Sequence, residues 1–277
     1  MKMAGALKGS VTGIRGLALA GAERRDIARA LPEETPVAIT VNGSTQAVMM
    51  ASPADIEDFA VGFALSEGIV GRLDEIEAVE ALELPGGIEA RLWIAPEKAE
   101  ALGARRRAML GPVGCGLCGI DSLEEAIRPL PKVTDATRFA FAEIAAAAEA
   151  LRAHQPLHDL TRAVHAAGFL VPGRGIVAAR EDVGRHNALD KLIGALARAG
   201  VDVSGGAFVL TSRVSVDMVQ KAAIAGAGTI VAVSAPTAHA LRLAEAAGMT
   251  LAAFARAGAV EIYSHAQRIT EDTSDVA

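Results

Sequence analysis

The only two cysteines of the 277-residue chain are Cys115 and Cys118, set in Gly114-Cys-Gly-Leu-Cys-Gly119. A thiolate is a strong nucleophile and a ligand for soft metals, so two of them on a glycine-rich loop suggest a working site. Redox exchange, metal binding and sulfur carriage all fit such a pair. A structural zinc centre needs four ligands, of which one Cys-x-x-Cys supplies half. Among the histidines only His154 and His158 are closely spaced, and Pro156 lies between them. A thioredoxin-type pair sits at a helix start in a strand–helix setting. This loop instead follows Arg105-Arg-Arg107 and precedes the next helix cap by several residues. Glycine amides and a nearby arginine run would both favour a sulfur anion, which makes a carrier thiol physically sensible. The plainer alternative is two small buried residues in a tight turn.

A second grouping is Arg180-Glu-Asp-Val-Gly-Arg-His-Asn-Ala-Leu-Asp-Lys191. Wound at about 100° per residue, its helical part separates Ala188, Leu189, Leu192, Ala195 and Leu196 from His186, Asn187, Asp190 and Lys191. That polar side carries four different functional groups. Asp182 is placed to cap the helix start, and Arg185 adds charge in a first turn that already favours anions. The competing reading is a solvated face with His186–Asp190 and Asn187–Lys191 as neighbours. A third grouping puts Thr211, Ser212, Arg213 and Ser215 where a strand ends and a helix begins, and Ser234-Ala-Pro-Thr237 repeats that placement one unit later. Ligands of open α/β sheets bind outside the carboxyl ends of strands, and helix N-termini attract phosphate. Several hydroxyls at adjacent strand ends therefore suggest a phosphate-bearing ligand, although no Walker or dinucleotide fingerprint is present.

The elements that must position these groups fall into two series. Val37 to Val41 and Thr45 to Met50 read as strands around an Asn42-Gly43 hairpin turn. Ser52, Pro53 and Asp55 read as a helix start, with the helix running to about Ser66 and stopping at Gly68. Residues 76–83 and 88–95 form a second hairpin candidate, and a short helix is expected from Asp121 or Ser122. An alanine-rich helix spans roughly Phe141 to Ala153. Strand candidates at Gly175–Ala179, Ala207–Thr211, Thr229–Ser234 and Thr250–Phe254 then alternate with helices near 184–199, 214–225 and 237–247. Gly200, Gly226 and Gly248 fall at the helix ends. This alternation implies a largely parallel sheet covered by helices, with Val260 to Tyr263 at its edge. The organisation expected is an N-terminal arm (1–33), loose or partly ordered, a small α+β domain (34–131) that includes the cysteine loop, and a larger α/β domain (132–277).

Composition bounds the function classes. The chain is 51% hydrophobic and 22% charged with a formal net charge of -6, a globular balance that argues against a general nucleic-acid binder. Only 3% is aromatic, so packing relies on alanine and aliphatic residues. No run is apolar and long enough to span a bilayer, no signal-peptide region is evident, and two cysteines three positions apart cannot staple a chain of this length. The expected compartment is the reducing cytoplasm.

Taken together the motifs resemble the formate dehydrogenase accessory sulfurtransferases, the FdhD family. The resemblance runs from Pro36 to Arg268. It is carried by Thr40-Val-Asn-Gly43, Asp58-Phe-Ala-Val-Gly-Phe63, Ser66-Glu-Gly-Ile69, the cysteine loop, Arg180 to Lys191, Ser212-Arg213, Met218-Val-Gln-Lys221 and Ser234-Ala-Pro236. It implies a cytoplasmic homodimer whose larger domain is a cytidine deaminase-like three-layer α/β/α fold. It further implies that a cysteine desulfurase loads sulfur as a persulfide on Cys115, with Cys118 assisting. That sulfur passes to the molybdenum bis-guanine-dinucleotide cofactor, Mo-bis(molybdopterin guanine dinucleotide), before insertion into the formate dehydrogenase apoenzyme. The cofactor is thus a bound client, and no metal or other cofactor is held permanently. The implied client contacts are Phe254, Ala255, Arg256, Ala257, Gly258 and Ala259, together with His165, Arg185, His186, Asn187, Lys191, Ser212 and Arg213. Two departures from the family pattern bear on these contacts: Thr161-Arg-Ala-Val164 replaces a Gly-rich stretch, and Thr211-Ser-Arg213 replaces Ser-Gly-Arg. A zinc deaminase would need His-x-Glu and Pro-Cys-x-x-Cys, and neither is present. A non-catalytic chaperone that binds the cofactor remains the alternative to a sulfur carrier.

Overall fold

The computed structural model describes residues 9–100, 102, 130–134 and 137–271. Cys115, Cys118, the arginine run and the helix expected near Asp121 lie outside the described residues. Where the sequence reading expects a loose N-terminal arm, β1 (Val11–Ala20) pairs antiparallel with β2 (Glu23–Pro32) about Gly21 at φ +61°. The missing signal is understandable, because apolar residues occur on both faces of this ribbon and leave no clean alternation.

A four-stranded sheet follows, ordered β4-β3-β6-β5. Its strands are β3 (Thr35–Val41), β4 (Ser44–Ala51), β5 (Ile76–Leu84) and β6 (Gly87–Ile94). Asn42 and Gly43 both take positive φ, as a tight hairpin turn with right-handed strand twist requires. Val37, Ile39 and Val41 alternate inward and are fully or nearly fully buried against α1 (Ile56–Ser66) through Phe59, Ala60 and Ala64. The helix begins later than Ser52-Pro53 suggests, behind Asp55 in a left-handed conformation. Ser52 is not a cap. Its amide donates to Asp182 Oδ2 (2.9 Å) and its hydroxyl accepts from the Val183 amide (3.1 Å), tying the small sheet to the next unit.

The larger unit is built on a six-stranded sheet that also belongs to the α/β class. It comprises β8 (His165–Val171), β9 (Gly175–Asp182), β10 (Ala207–Leu210), β11 (Thr229–Ala232), β12 (Thr250–Arg256) and β13 (Ala259–Ser264). A short parallel pair, β7 (Phe139–Ala140) and β14 (Ile269–Thr270), flanks it. The spatial order is β13-β12-β11-β10-β8-β9. Only β10, β11 and β12 are mutually parallel, and β8, β9 and β13 run antiparallel to their neighbours. The expectation of a largely parallel sheet is therefore corrected to a mixed one. His165–Val171 adds a strand that the sequence pattern does not signal, since it pairs antiparallel with β10 and so lacks the crossover helix that marks a parallel strand.

Helices cover both faces. Ile144, Ala147 and Leu151 of α2 (Phe141–Arg152) pack on one side with Leu170, Val209, Val231 and Ala252. On the other side lie α4 (Arg185–Arg198), α5 (Val216–Ala225) and α6 (Ala238–Ala247), whose Leu189, Leu192, Met218 and Ala244 meet Phe169, Phe208, Ile230 and Leu251. The short α3 (Pro156–Thr161) closes the β8 end. Gly200, Gly226 and Gly248 all take positive φ just past these helices, as their helix-ending role requires.

The two units meet where α1 crosses α4. A Cβ on Gly62 would collide with the Asp190 carbonyl, and one on Gly194 would collide with the Asp58 carbonyl. The two glycines thus allow backbone-to-backbone contact. Charged groups are sealed around that crossing. Lys191 Nζ, fully buried, lies 2.6 Å from Asp182 Oδ2 and donates to the Ser52 carbonyl (2.8 Å). Lys221 bonds Glu67 (2.7 Å), Asp190 (3.1 Å) and the Ser66 hydroxyl (3.0 Å). Burial works against the Lys221 ammonium, but Asp190, Glu67 and Asp217 outweigh it and hold the group charged. Asp58 is bracketed by Arg180 (2.7 Å) and Arg198 (2.5 Å).

Two outcomes follow for chemical denaturation. Gly62→Ala or Gly194→Ala must force the helices apart and should destabilise the chain by at least about 1–3 kcal/mol. Lys191→Met strands the buried Asp182 carboxylate and should cost about 3–5 kcal/mol. Unchanged midpoints in either case would contradict a tight, charge-sealed crossing.

Candidate functional site

The sheet brings distant segments to a single edge. Because β8 runs against β10, its first residue, His165, stands beside the carboxyl end of β10. The Thr211 hydroxyl locks that corner by accepting from the Ala166 amide (2.9 Å). Beyond Ala252, the last β12 residue paired with β11, the strand departs from regular geometry. Phe254 and Ala257 both lie at φ +52°, a region costly for side chains with a Cβ, and Gly258 follows at φ +76°. The irregularity between Ala253 and Arg256 re-aims the chain over the sheet edge, as bulges do.

A cavity of about 650 Å³ opens there. Its walls are Ala145, Ala148, Glu149 and Arg152 of α2, Gln155, His158, the turn Arg162-Ala-Val164, His165, Thr211, Val233, and Ala255, Arg256 and Ala257. Arg152 ion-pairs with Asp159 through Nη2, while its Nη1 is buried with no hydrogen-bond partner among the described residues. Neither Arg162 nor Arg256 has a carboxylate partner among the described residues, and both are exposed. Arg162 also adopts φ +59°. Three guanidinium groups meet two carboxylates here, Glu149 in the wall and Asp159 on Arg152, which leaves Arg162, Arg256 and the free Nη1 of Arg152 able to bond an anion with several oxygens, since guanidinium forks match phosphate.

The histidines contribute shape and hydrogen bonding. Burial holds His165 below the usual imidazole range, Arg185 and His158 push the same way, and Asp182 opposes them. His158 is fixed by its ring Nδ1 near the Val164 carbonyl (3.3 Å). Glu181 accepts from the Leu157 and His158 amides, both at 2.8 Å, and so holds the start of α3. Burial raises Glu181 above the ordinary carboxyl range despite those two bonds.

The predicted residues divide into three places. His165, Ala255, Arg256 and Ala257 line the cavity, and Phe254, Gly258 and Ala259 belong to the same strained turn. Arg185, at the start of α4, is close enough to the cavity to act on His165, whereas His186 beside it in sequence faces Ser215 and Asp217 of α5 and its approach. Arg185 acts electrostatically on both histidines, and its Nε is buried without a partner among the described residues. His186 Nε2 lies 3.3 Å from Asp217 Oδ2 and 3.5 Å from the Ser215 hydroxyl. Burial lowers its proton affinity, Arg185 and Lys221 add to that, and Asp217 and Glu67 oppose it. Ser212 is buried with its hydroxyl donating to the Arg213 carbonyl (3.0 Å), whereas Arg213 is exposed.

Asn187 and Lys191 lie elsewhere. Asn187 donates to the Met50 carbonyl (2.8 Å) and to Asp182 (3.0 Å), and Lys191 is sealed in the same seam. The polar side of α4 is therefore neither a ligand face nor a solvated one at these two positions. It is buried against the other unit, and the local pairs His186–Asp190 and Asn187–Lys191 give way to longer-range ones. Asp182 serves the Gly184 amide and the seam, and α4 has no side-chain cap. Residues missed from sequence are Glu149, Arg152, Gln155, His158 and Arg162. The only available signals were the His154/His158 spacing and the departure at Thr161-Arg-Ala-Val164.

Comparisons with known proteins agree with this architecture. Residues 32–270 match the family model described as FdhD/NarQ family. A curated relative from Agrobacterium fabrum, named "Sulfur carrier protein FdhD", is 52% identical over 87% of this chain and 89% of its own length. A second of that name, from Brucella abortus, is 53% identical over 89% of this chain and 92% of its own. A crystal structure of a chain assigned as a formate dehydrogenase accessory protein from Desulfotalea psychrophila superposes with a TM-score of 0.73 at 26% identity, covering 94% of this chain and 99% of that one. The fold and site define an α/β protein with an arginine-lined cavity at the carboxyl edge of a mixed sheet. The chain belongs to the FdhD/NarQ family.

Calorimetric titration with GDP as an anionic probe should show the cavity's charge directly. Arg162→Ser and Arg256→Ser are each expected to weaken binding by about 1.5–3 kcal/mol, the range for charged hydrogen bonds. Because His165 protonates only below the usual imidazole range, its charge should appear as tighter binding on acidification below about pH 6.5, with only its neutral hydrogen bond left at pH 7.5. A His165→Asn protein with the same pH profile as the wild type would refute that assignment.

Proposed function

We propose that this chain is a cytoplasmic sulfur carrier for formate dehydrogenase maturation, acting as a homodimer with a cytidine deaminase-like larger domain. Sulfur comes from a cysteine desulfurase, and the client is Mo-bis(molybdopterin guanine dinucleotide), bound before it enters the formate dehydrogenase apoenzyme. The observation that carries this reading is the cavity over residues 255–257. A bis-guanine-dinucleotide client presents diphosphate groups, and Arg152, Arg162 and Arg256 supply the matching guanidinium groups. Membership of a family whose relatives are named sulfur carriers, together with a single Cys-x-x-Cys pair, supports the transfer chemistry. Among the described residues no group of three or more His, Cys, Asp or Glu is placed to hold a metal, and no helix is long and apolar enough to cross a membrane.

In the loading step the Cys115 thiolate attacks the terminal sulfur of the desulfurase persulfide. A new Sγ–S bond forms, the desulfurase S–S bond breaks, and the desulfurase cysteine leaves as thiolate, with no net oxidation. Delivery of that sulfur at the sulfide level consumes two electrons. Attack of the Cys118 thiolate on Cys115 Sγ supplies them, releasing hydrosulfide to the client and leaving a Cys115–Cys118 disulfide for a cellular dithiol to reduce. The cavity arginines orient the client's anionic ends, and neutral His165 hydrogen-bonds without adding charge.

Intact-protein mass spectrometry after incubation with a desulfurase and cysteine tests the carrier role. The wild type should gain about 32 Da, one sulfur atom, on Cys115. Cys115→Ala should abolish both the adduct and dehydrogenase maturation. Cys118→Ala should keep the adduct and slow its discharge. Full maturation by the Cys115→Ala protein would instead identify a non-catalytic cofactor-binding chaperone.

A further inference from the structure

The short α3 is held from outside itself. A helix of six residues is not stable alone. Its one buried apolar side chain is Leu157, and Leu160 is exposed. Its first turn has two backbone donors to place. Pro156, the first helical residue, has no N–H, and the Asp159 amide already donates to the Gln155 carbonyl (3.0 Å). That leaves the Leu157 and His158 amides. Both donate to one side chain, Glu181 of β9, the first to Oε2 and the second to Oε1, each at 2.8 Å. A carboxylate engaged through both oxygens makes charge-assisted bonds and fixes direction as well as distance. Glu181 is itself anchored in the sheet, paired in register with Ala166, the residue after His165.

Beyond that grip, α3 and the turn after it form one hydrogen-bonded block. The Thr161 hydroxyl donates to the Leu157 carbonyl (2.8 Å) and accepts from the Ala163 amide (3.4 Å). The Arg162 amide closes on the His158 carbonyl (2.8 Å) with Arg162 in the left-handed conformation, and His158 Nδ1 lies 3.3 Å from the Val164 carbonyl. Gln155, His158, Arg162, Ala163 and Val164 of this block line the cavity, and Glu181 does not. The carboxylate thus stands behind the wall and determines where the wall stands.

We infer that Glu181 is a positioning residue of the cavity: without touching the ligand, its carboxylate sets where α3 presents His158 and Arg162 to a bound anion. This assignment rests on the reading of the cavity as an anion site and involves neither the cysteines nor the oligomeric state. The ionisable groups that act on Glu181 are His158 and Asp159 of α3, the first favouring its charge and the second opposing it. Its neighbours along β9 are engaged elsewhere, Arg180 with Asp58 and Asp182 with Lys191. The two amides of α3 are therefore the partners that give this carboxylate its role.

Calorimetric titration of the full chain with GDP measures the effect. Glu181→Gln keeps the shape of the side chain but turns an NH2 group toward one of the two amides. It should weaken binding about tenfold, the equivalent of one charged hydrogen bond. Glu181→Asp keeps the charge but is one methylene short, and its affinity should fall between wild type and Glu181→Gln. Double-variant cycles separate positioning from general loosening. With His158→Ala and Arg162→Ser in place, Glu181→Gln should cost less than about threefold, because the groups it aims are gone. With Arg256→Ser on β12 in place it should still cost about tenfold. Equal costs in the two backgrounds would overturn the inference. Nuclear magnetic resonance of the ligand-free wild type tests the grip without any substitution. The Leu157 and His158 amide signals should shift together as the Glu181 carboxylate titrates, and the shift should vanish in Glu181→Gln. Amides indifferent to that titration would overturn the inference whatever GDP does. A wild type that fails to bind GDP would instead overturn the anion reading of the cavity beneath it.

Discussion

The close crossing of α1 and α4 is the constraint on which the remaining geometry depends. Two backbones approach at Gly62 and Gly194 without an intervening Cβ, which leaves room only for main chain at the centre. The charges that ring the crossing are consequently short of water. They are satisfied by one another, through Lys191 with Asp182, Lys221 with Asp190 and Glu67, and Arg180 and Arg198 with Asp58. Buried ion pairs add little net stability compared with apolar packing, but removing one partner is costly. Such a seam fixes one relative placement of the two units and penalises the alternatives.

That placement serves the cavity. Asp182 ends β9, pairs in the register with His165, and is held by Ser52, Lys191, Asn187 and the Gly184 amide. The start of α4, with Arg185 and His186, follows directly. Hence the edge of the sheet that carries the cavity is braced from the small unit, across residues more than a hundred positions away in sequence. The antiparallel insertion of β8 completes it, because only that direction brings His165 and the Arg162 turn to the carboxyl ends of β10 and β12.

Legibility in the sequence followed the range of the forces involved. The Asn42-Gly43 turn, the alternation of β3 and the glycine-ended helices are local events, and their pattern reads directly. Strand direction is set by tertiary pairing, so the mixed sheet was hidden behind a helix–strand alternation that ordinarily signals parallel strands. The string Arg180 to Lys191 was recognised as unusual, yet its polar residues serve two purposes. Arg185 acts on the cavity's His165 and His186 pairs with Asp217, whereas Asn187, Asp190 and Lys191 close the seam. A residue's type announces that a polar partner is needed but not whether that partner is a ligand or another helix. The cavity arginines were the least legible, since Arg152 and Arg162 are ordinary surface residues until α2 and α3 fold against the edge.

The seam also bears on how the molecule comes apart. Detaching the small unit would expose Phe59 and Val61 and would deprive Lys191 and Asp190 of Ser52 and Ser66 at the same moment. Opening either half first would leave buried charges without partners, which couples the unfolding of the two cores. The sole tryptophan, Trp93, lies in β6 of the small sheet. Its fluorescence therefore reports on the small unit and, through the seam, on the unit to which it is coupled.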